Sequence, residues 1–166
     1  MTTPTHIAIG YFIARGFATF GLLPDTNSTY LVSMVLSNAP DIDGLYNFHK
    51  LFAHREKYFA LSHYPVTWFV LYGIAYLFTV NYSPQLLHYI FMSGICVASH
   101  FVLDTFDYFD GIAWLGPWIK RKFSFVYRTK SPLTSNAEWS MLYKTHWLFY
   151  IELGICILAF ALAFVT

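Results

Sequence analysis

The sequence predicts an all-α protein built as an integral membrane helical bundle, with about 3–5 membrane-embedded helices. Three observations carry that expectation. Hydrophobic residues fill 57% of the 166 positions and charged residues only 11%, where a soluble domain has about 25% charged. No Asp, Glu, Lys or Arg stands between Lys57 and Asp104, a run far longer than the roughly 20 residues of one span. Nine of the ten Lys and Arg residues fall in two loops, the one-sided bias of a membrane protein. The length fits a single domain over 1–166.

The elements follow in order. Residues 4–20 predict a helix, with Pro4 tolerated in its first turn and Thr2, Thr3 or Thr5 as cap. Gly10, Ala14 and Ala18 form a small-residue stripe on one face, which lets helices approach closely in lipid. Residues 28–39 predict a short apolar helix stopped by Pro40, so the first two segments read as a shallow or tilted hairpin. Residues 44–60 read as a short amphipathic helix plus loop. The uncharged run divides at Asn81-Tyr82-Ser83-Pro84 into spans near 63–80 and 86–104. Residues 105–145 read as one long polar loop, and a last span near 146–165 carries only Glu152. Cys96 and Cys156 lie in apolar spans and read as small core residues, not as a disulfide framework. No basic stretch precedes the first apolar segment, so no cleaved signal peptide is expected.

The charge distribution orients the bundle. Lys50, Arg55 and Lys57 follow the second segment, and Lys120, Arg121, Lys122, Arg128, Lys130 and Lys144 lie between the fourth and fifth. The loops near 22–28 and 81–85 have neither Lys nor Arg. The positive-inside bias puts the basic face in the cytoplasm. Arg15 alone sits inside a segment, to snorkel or to pair within the bundle, and Glu152 is its candidate partner or that of a nearby His. The basic loop also holds Trp114, Trp118, Phe123, Phe125 and Tyr127, a composition suited to headgroup level and equally to plain orientation. Nucleic acid is not expected as a partner; there is no glycine-rich phosphate loop, no CxxC pair and no nucleophile elbow.

On that same face the chemistry-bearing residues converge. Segments that alternate direction bring the start of the first, the end of the second, the start of the third and the end of the fourth to one side. Those ends carry His6, Asp41 with Asp43, His63, and His100 with Asp104. His100 and Asp104 share a helix face at i, i+4, and imidazole with carboxylate suits zinc and other divalent first-row metals. Singly each residue has a plain reading: a structural hydrogen bond, an Asx turn at Asp41–Asp43, or an interfacial histidine. Together they predict a metal site at one membrane face. His54 is a further ligand or proton shuttle, Arg55 a phosphate clamp, and His146 a reserve candidate; His88 falls on the far side.

Thr5-His6 with Gly10, Pro40-Asp41-Ile42-Asp43, His54-Arg55 and His63, then Ser99-His100-Phe101-Val102-Leu103-Asp104 with Gly111 and Leu115-Gly116-Pro117-Trp118, resemble the YdjM-like family. Its members are described as inner-membrane-associated, metal-dependent hydrolases distantly similar to zinc-dependent phospholipases C. The resemblance spans about residues 5–125. It implies His6, Asp41, His63, His100 and Asp104 as ligands. The nine-residue step from His54 to His63 is longer than the family's pattern.

The expected function is membrane-bound metal-dependent hydrolysis of a phosphoester, in a lipid or a membrane-associated substrate, at the cytoplasmic face of the inner membrane. The expected cofactor is a divalent metal, zinc first, and the donor number suits two ions. Asp41 or Asp43 would act as catalytic carboxylate, and Arg55, Lys120, Arg121 and Lys122 would receive phosphate charge. The alternative is a non-enzymatic membrane metal-binding or transport protein; ligands at helix ends instead of mid-membrane disfavour transport. The sequence does not speak to oligomeric state.

Overall fold

The computed structural model describes residues 1–42, 61–107, 111–119, 121–126 and 136–165, with backbone alone over 136–140. It is all-helical: α1 (Thr3–Thr19), α2 (Asn27–Leu36), α3 (Pro65–Thr79), α4 (Pro84–Asp104), α5 (Asn136–Thr145) and α6 (Trp147–Val165). Two short 3-10 turns, Ala39–Asp41 and Leu61–His63, follow α2 and precede α3. Prolines set several starts, in the first turns of α1, α3 and α4, where a missing N–H costs nothing. Thr26 and Ser83 cap α2 and α4 by accepting from the N–H of Thr29 and Leu86.

Helix α1 packs on α2, α4 and α6, α2 also on α4, and α3 on α4. The small-residue stripe of α1 is the reason for its closeness to α2. Gly10 lies against the α2 backbone, and its carbonyl accepts from Ser33 Oγ at 2.6 Å. A Cβ at Gly10 would stand 2.8 Å from Ser33 O and 2.9 Å from Met34 Cα. Ala14, Leu23, Met92 and Cys96 form one buried cluster, and Val97, Phe101 and Ile112 a second, flanked by Trp68 and Tyr72. Cys96 is buried and Cys156 half-buried, both as free thiols.

Outside that core the surface is apolar. Phe69, Leu77 and Phe78 of α3 and Ile157, Phe160 and Phe164 of α6 are exposed. So many large apolar side chains facing outward fit a lipid solvent better than water. Among the described residues two helices are long and apolar enough to cross a bilayer, α4 and α6. That is fewer than the 3–5 expected. Helix α3 is apolar but has 15 residues, a rise of about 22 Å against a hydrocarbon core near 30 Å. Helix α2 has ten residues and buries Thr29 and Ser33; α1 has 17 and buries Thr5 and His6. Composition counted these segments as greasy, but α3 is short and α1 and α2 line their packed faces with polar side chains, which makes them partners of the longer pair.

Residues 105–145 are not one loop, since α5 occupies the end of that stretch. Its first part is tied to the end of α4. Ile112 and Phe123 exchange backbone hydrogen bonds of 2.9 and 2.8 Å. Phe125 N–H donates to Thr105 O at 2.8 Å, and Trp114 Nε1–H to Thr105 Oγ1 at 3.0 Å. The amphipathic segment expected at 44–60 lies outside the described residues.

Candidate metal centre

Four helix ends meet at one place, as alternation predicts. His6 sits in the first turns of α1. Asp41 ends the 3-10 turn that Pro40 imposes after α2. His63 ends the turn before α3, and that turn is tied down by Trp68 Nε1–H donating to Ser62 O at 2.7 Å. His100 and Asp104 lie one turn apart at the end of α4.

Asp41, His63, His100 and Asp104 each present a donor atom within 4.8 Å of the others, a group that could hold a metal ion. His63 Nε2 is 3.3 Å and His100 Nε2 3.5 Å from Asp41 Oδ1; His100 Nε2 is 3.1 Å from Asp104 Oδ2. Burial grades across the site: His100 is fully buried, whereas the Asp41 side chain is 39% exposed. The group therefore has a closed wall and an open mouth.

His100 is oriented from behind. Its Nδ1 stands 2.8 Å from Ser37 O. A carbonyl can only accept, so Nδ1 carries a proton in either charge state, and Nε2 offers its lone pair to the site once its own proton is lost. Nε2 is buried and makes no hydrogen bond despite its carboxylate neighbours. An orphaned, correctly tautomerised imidazole nitrogen between two carboxylates fits a metal position, because ligating histidines are held by their other nitrogen in this way. Asp41 is also suited to the role. Burial acts to raise its carboxyl, but the imidazoles of His100 and His63 outweigh that and hold it well below the usual carboxylate range.

His6 lies beside the group. Its ring stacks on His100 with centroids 4.0 Å apart, and Nε2 is 3.1 Å from Asp104 Oδ1. Asp104 thus turns one oxygen to His100 and the other to His6. The Met1 ammonium also reaches Asp104 Oδ1, at 2.5 Å, and Asp107 Oδ1 at 3.6 Å.

Asp43, His54, Arg55 and Lys120 lie outside the described residues. Arg121 and Lys122 are exposed on the segment beyond α4. His88 is near the opposite end of α4 from His100, as expected. Among the described residues Glu152 meets neither Arg15 nor a histidine. It reaches the start of α1, where Thr2 N–H (3.0 Å), Thr2 Oγ1 and Thr5 Oγ1 (2.7 Å) all donate to its Oε2. Docking of α6 against α1 decides this, and no local spacing signals it. Arg15 instead lies near Tyr30, whose hydroxyl donates to Asp25 at 2.8 Å. Sequence reasoning also missed the Ser37 carbonyl, a backbone group without a residue-type signature.

The family model described as YdjM inner membrane protein matches residues 1–166. No curated protein and no solved structure matches the chain.

Proposed function

The chain belongs to the YdjM inner membrane protein family, and from that premise we propose that it is a metal-dependent hydrolase acting on a phosphoester at the cytoplasmic membrane face. The substrate class is a lipid or lipid-linked phosphoester. The observation that carries the reading is the spacing of the donor group. Four ligand atoms at about 2.0–2.2 Å from one tetrahedral zinc stand roughly 3.3–3.6 Å apart. Three of the six separations among His100, His63, Asp41 and Asp104 are 3.1, 3.3 and 3.5 Å, close to that value, and all four donor atoms lie within 4.8 Å of one another.

Asp41, His63, His100 and Asp104 would hold the first ion. His6, on the second oxygen of Asp104, supports a second position, to which Asp43 and His54 would add donors. A bound divalent ion supplies Lewis acidity, polarising a phosphoester oxygen and making nearby water acidic. The protein's own part is to place and to move protons. Ser37 fixes the His100 tautomer. Asp41, anionic at the open mouth, orients water toward the site, and Asp43 accepts the proton at its carboxylate. Arg55, Lys120, Arg121 and Lys122 bind phosphate charge. The positive-inside bias supports a cytoplasmic mouth.

A panel of lipid phosphoesters assayed with and without chelator tests this reading. Asp43→Asn should keep the fold and sharply reduce turnover, and chelation should abolish it. Activity that survives complete metal removal would exclude the mechanism.

A further inference from the structure

Past the end of α4 the chain makes a short excursion whose tip is apolar and unusually exposed. Trp118 is 76% and Leu115 61% exposed, and Ile119 and Phe125 are exposed too. The base of this excursion is firmly built. The paired backbone bonds of Ile112 and Phe123 close it, and Ile112 is buried against Val97 and Phe101. Thr105 receives both Trp114 Nε1–H and Phe125 N–H, and Ser124 Oγ donates to Asp107 O at 2.6 Å. Gly116 is seated on the Tyr64 ring so closely that a Cβ would lie 2.1 Å from Tyr64 Cδ1. Tyr64 is buried and follows His63 directly. The apolar tip is therefore held out by the fold and is tied to the metal-competent group.

Its height follows from α4. Twenty-one residues rise about 31 Å, the thickness of the hydrocarbon core. If the start of α4 marks one interface, Asp104 marks the other, and hydrogen bonds to Thr105 and Asp107 fix the tip at that level. Exposed Trp, Leu and Ile beside an exposed Arg121 are the composition that settles at the headgroup–acyl boundary, with cations on lipid phosphates.

We infer that the 114–119 tip is an interfacial anchor. Leu115, Trp118 and Ile119 enter the leaflet at which the Asp41–His63–His100–Asp104 group opens, beside anionic phospholipid headgroups that Arg121 contacts. The inference stands on burial and position and holds whether or not the metal-competent group is hydrolytic.

The test uses the full chain labelled with 5-fluorotryptophan in nanodiscs containing phosphatidylglycerol, with Trp118→Phe to assign the fluorine signal. A lipid carrying a nitroxide near the top of its acyl chain should erase the Trp118 signal, and an aqueous gadolinium chelate should leave it intact. The loss should be weaker in discs of phosphatidylcholine alone; equal loss in both would overturn the anionic preference. A signal erased by the chelate and untouched by the nitroxide would overturn the anchor. A signal that neither agent reaches would also overturn it, in favour of cover by protein.

Discussion

Replacing Gly10 by alanine should perturb the metal-competent group from a distance through a route the structure defines. The new Cβ would stand 2.7 Å from Ser37 Oγ, 2.8 Å from Ser33 O and 2.9 Å from Met34 Cα. The last two are backbone atoms and cannot swing aside. Ordinary carbon contacts lie at about 3.5–4.0 Å, so α2 must withdraw by roughly 0.6–1.1 Å at that level. Ser37 ends α2, and its carbonyl holds His100 Nδ1 at 2.8 Å. The same withdrawal stretches this bond to roughly 3.4–3.9 Å, from a strong hydrogen bond to a weak or broken one. Losing such a supporting contact typically lowers metal affinity about 10–100-fold. Overpacking costs about 1–3 kcal/mol, offset by about 1 kcal/mol of helix propensity. The net folding loss is thus about 0–2 kcal/mol, of the same order as the binding loss of about 1.4–2.7 kcal/mol, so the two are measured separately. The assay is competition for zinc against a chromophoric chelator, with unfolding followed in parallel. Gly16→Ala is the control, since a Cβ there meets nothing within 4 Å. Zinc affinity in Gly10→Ala within about twofold of the parent protein, well short of the expected loss, would refute the claim that Ser37 positions His100.

Three further outcomes are expected. His100→Ala should reduce bound metal to background, whereas His88→Ala, roughly 18 Å away along α4, should leave metal content unchanged; equal retention in both would remove His100 from the site. Metal affinity should rise with pH and fall on acidification, because imidazole ligands bind only when neutral, with a slope approaching about two decades per pH unit for His63 and His100 together. The Asp41 carboxyl, held below the usual range, adds nothing to that slope near neutrality, and a flat profile would argue against histidine ligation. Glu152→Gln keeps the shape but weakens the acceptor for Thr2 and Thr5, and should cost about 1–3 kcal/mol in unfolding; an unchanged unfolding curve would show that this contact does not hold α1 to α6.

The convergence of His6, Asp41, His63, His100 and Asp104 was legible because it needs only helix boundaries and alternating direction. Proline and turn residues mark those boundaries: α1, α2, α3, α4 and α6 begin and end within three residues of where they were expected, whereas α5 lies in a stretch expected to be loop. The number of spans was less legible. Composition does not separate a helix that meets lipid all round from a short one that buries Thr29 and Ser33 against a neighbour. The partners of Glu152 and Arg15 were hidden for a related reason. Charge balance suggests they meet, but α6 brings Glu152 to the start of α1, and Arg15 lies three turns further along, beside Tyr30. The Ser37 carbonyl could not be read at all, because any residue supplies one; its position depends on how closely Gly10 lets α2 approach.

The central claim is that the four gathered helix ends form a metal centre, and an anomalous diffraction map at the zinc edge from purified, zinc-equilibrated protein tests it most directly. The expected result is a peak between Asp41, His63, His100 and Asp104, with nitrogen and oxygen ligands at about 2.0–2.2 Å and no sulfur. No peak among these residues, with zinc held elsewhere or not at all, would contradict it.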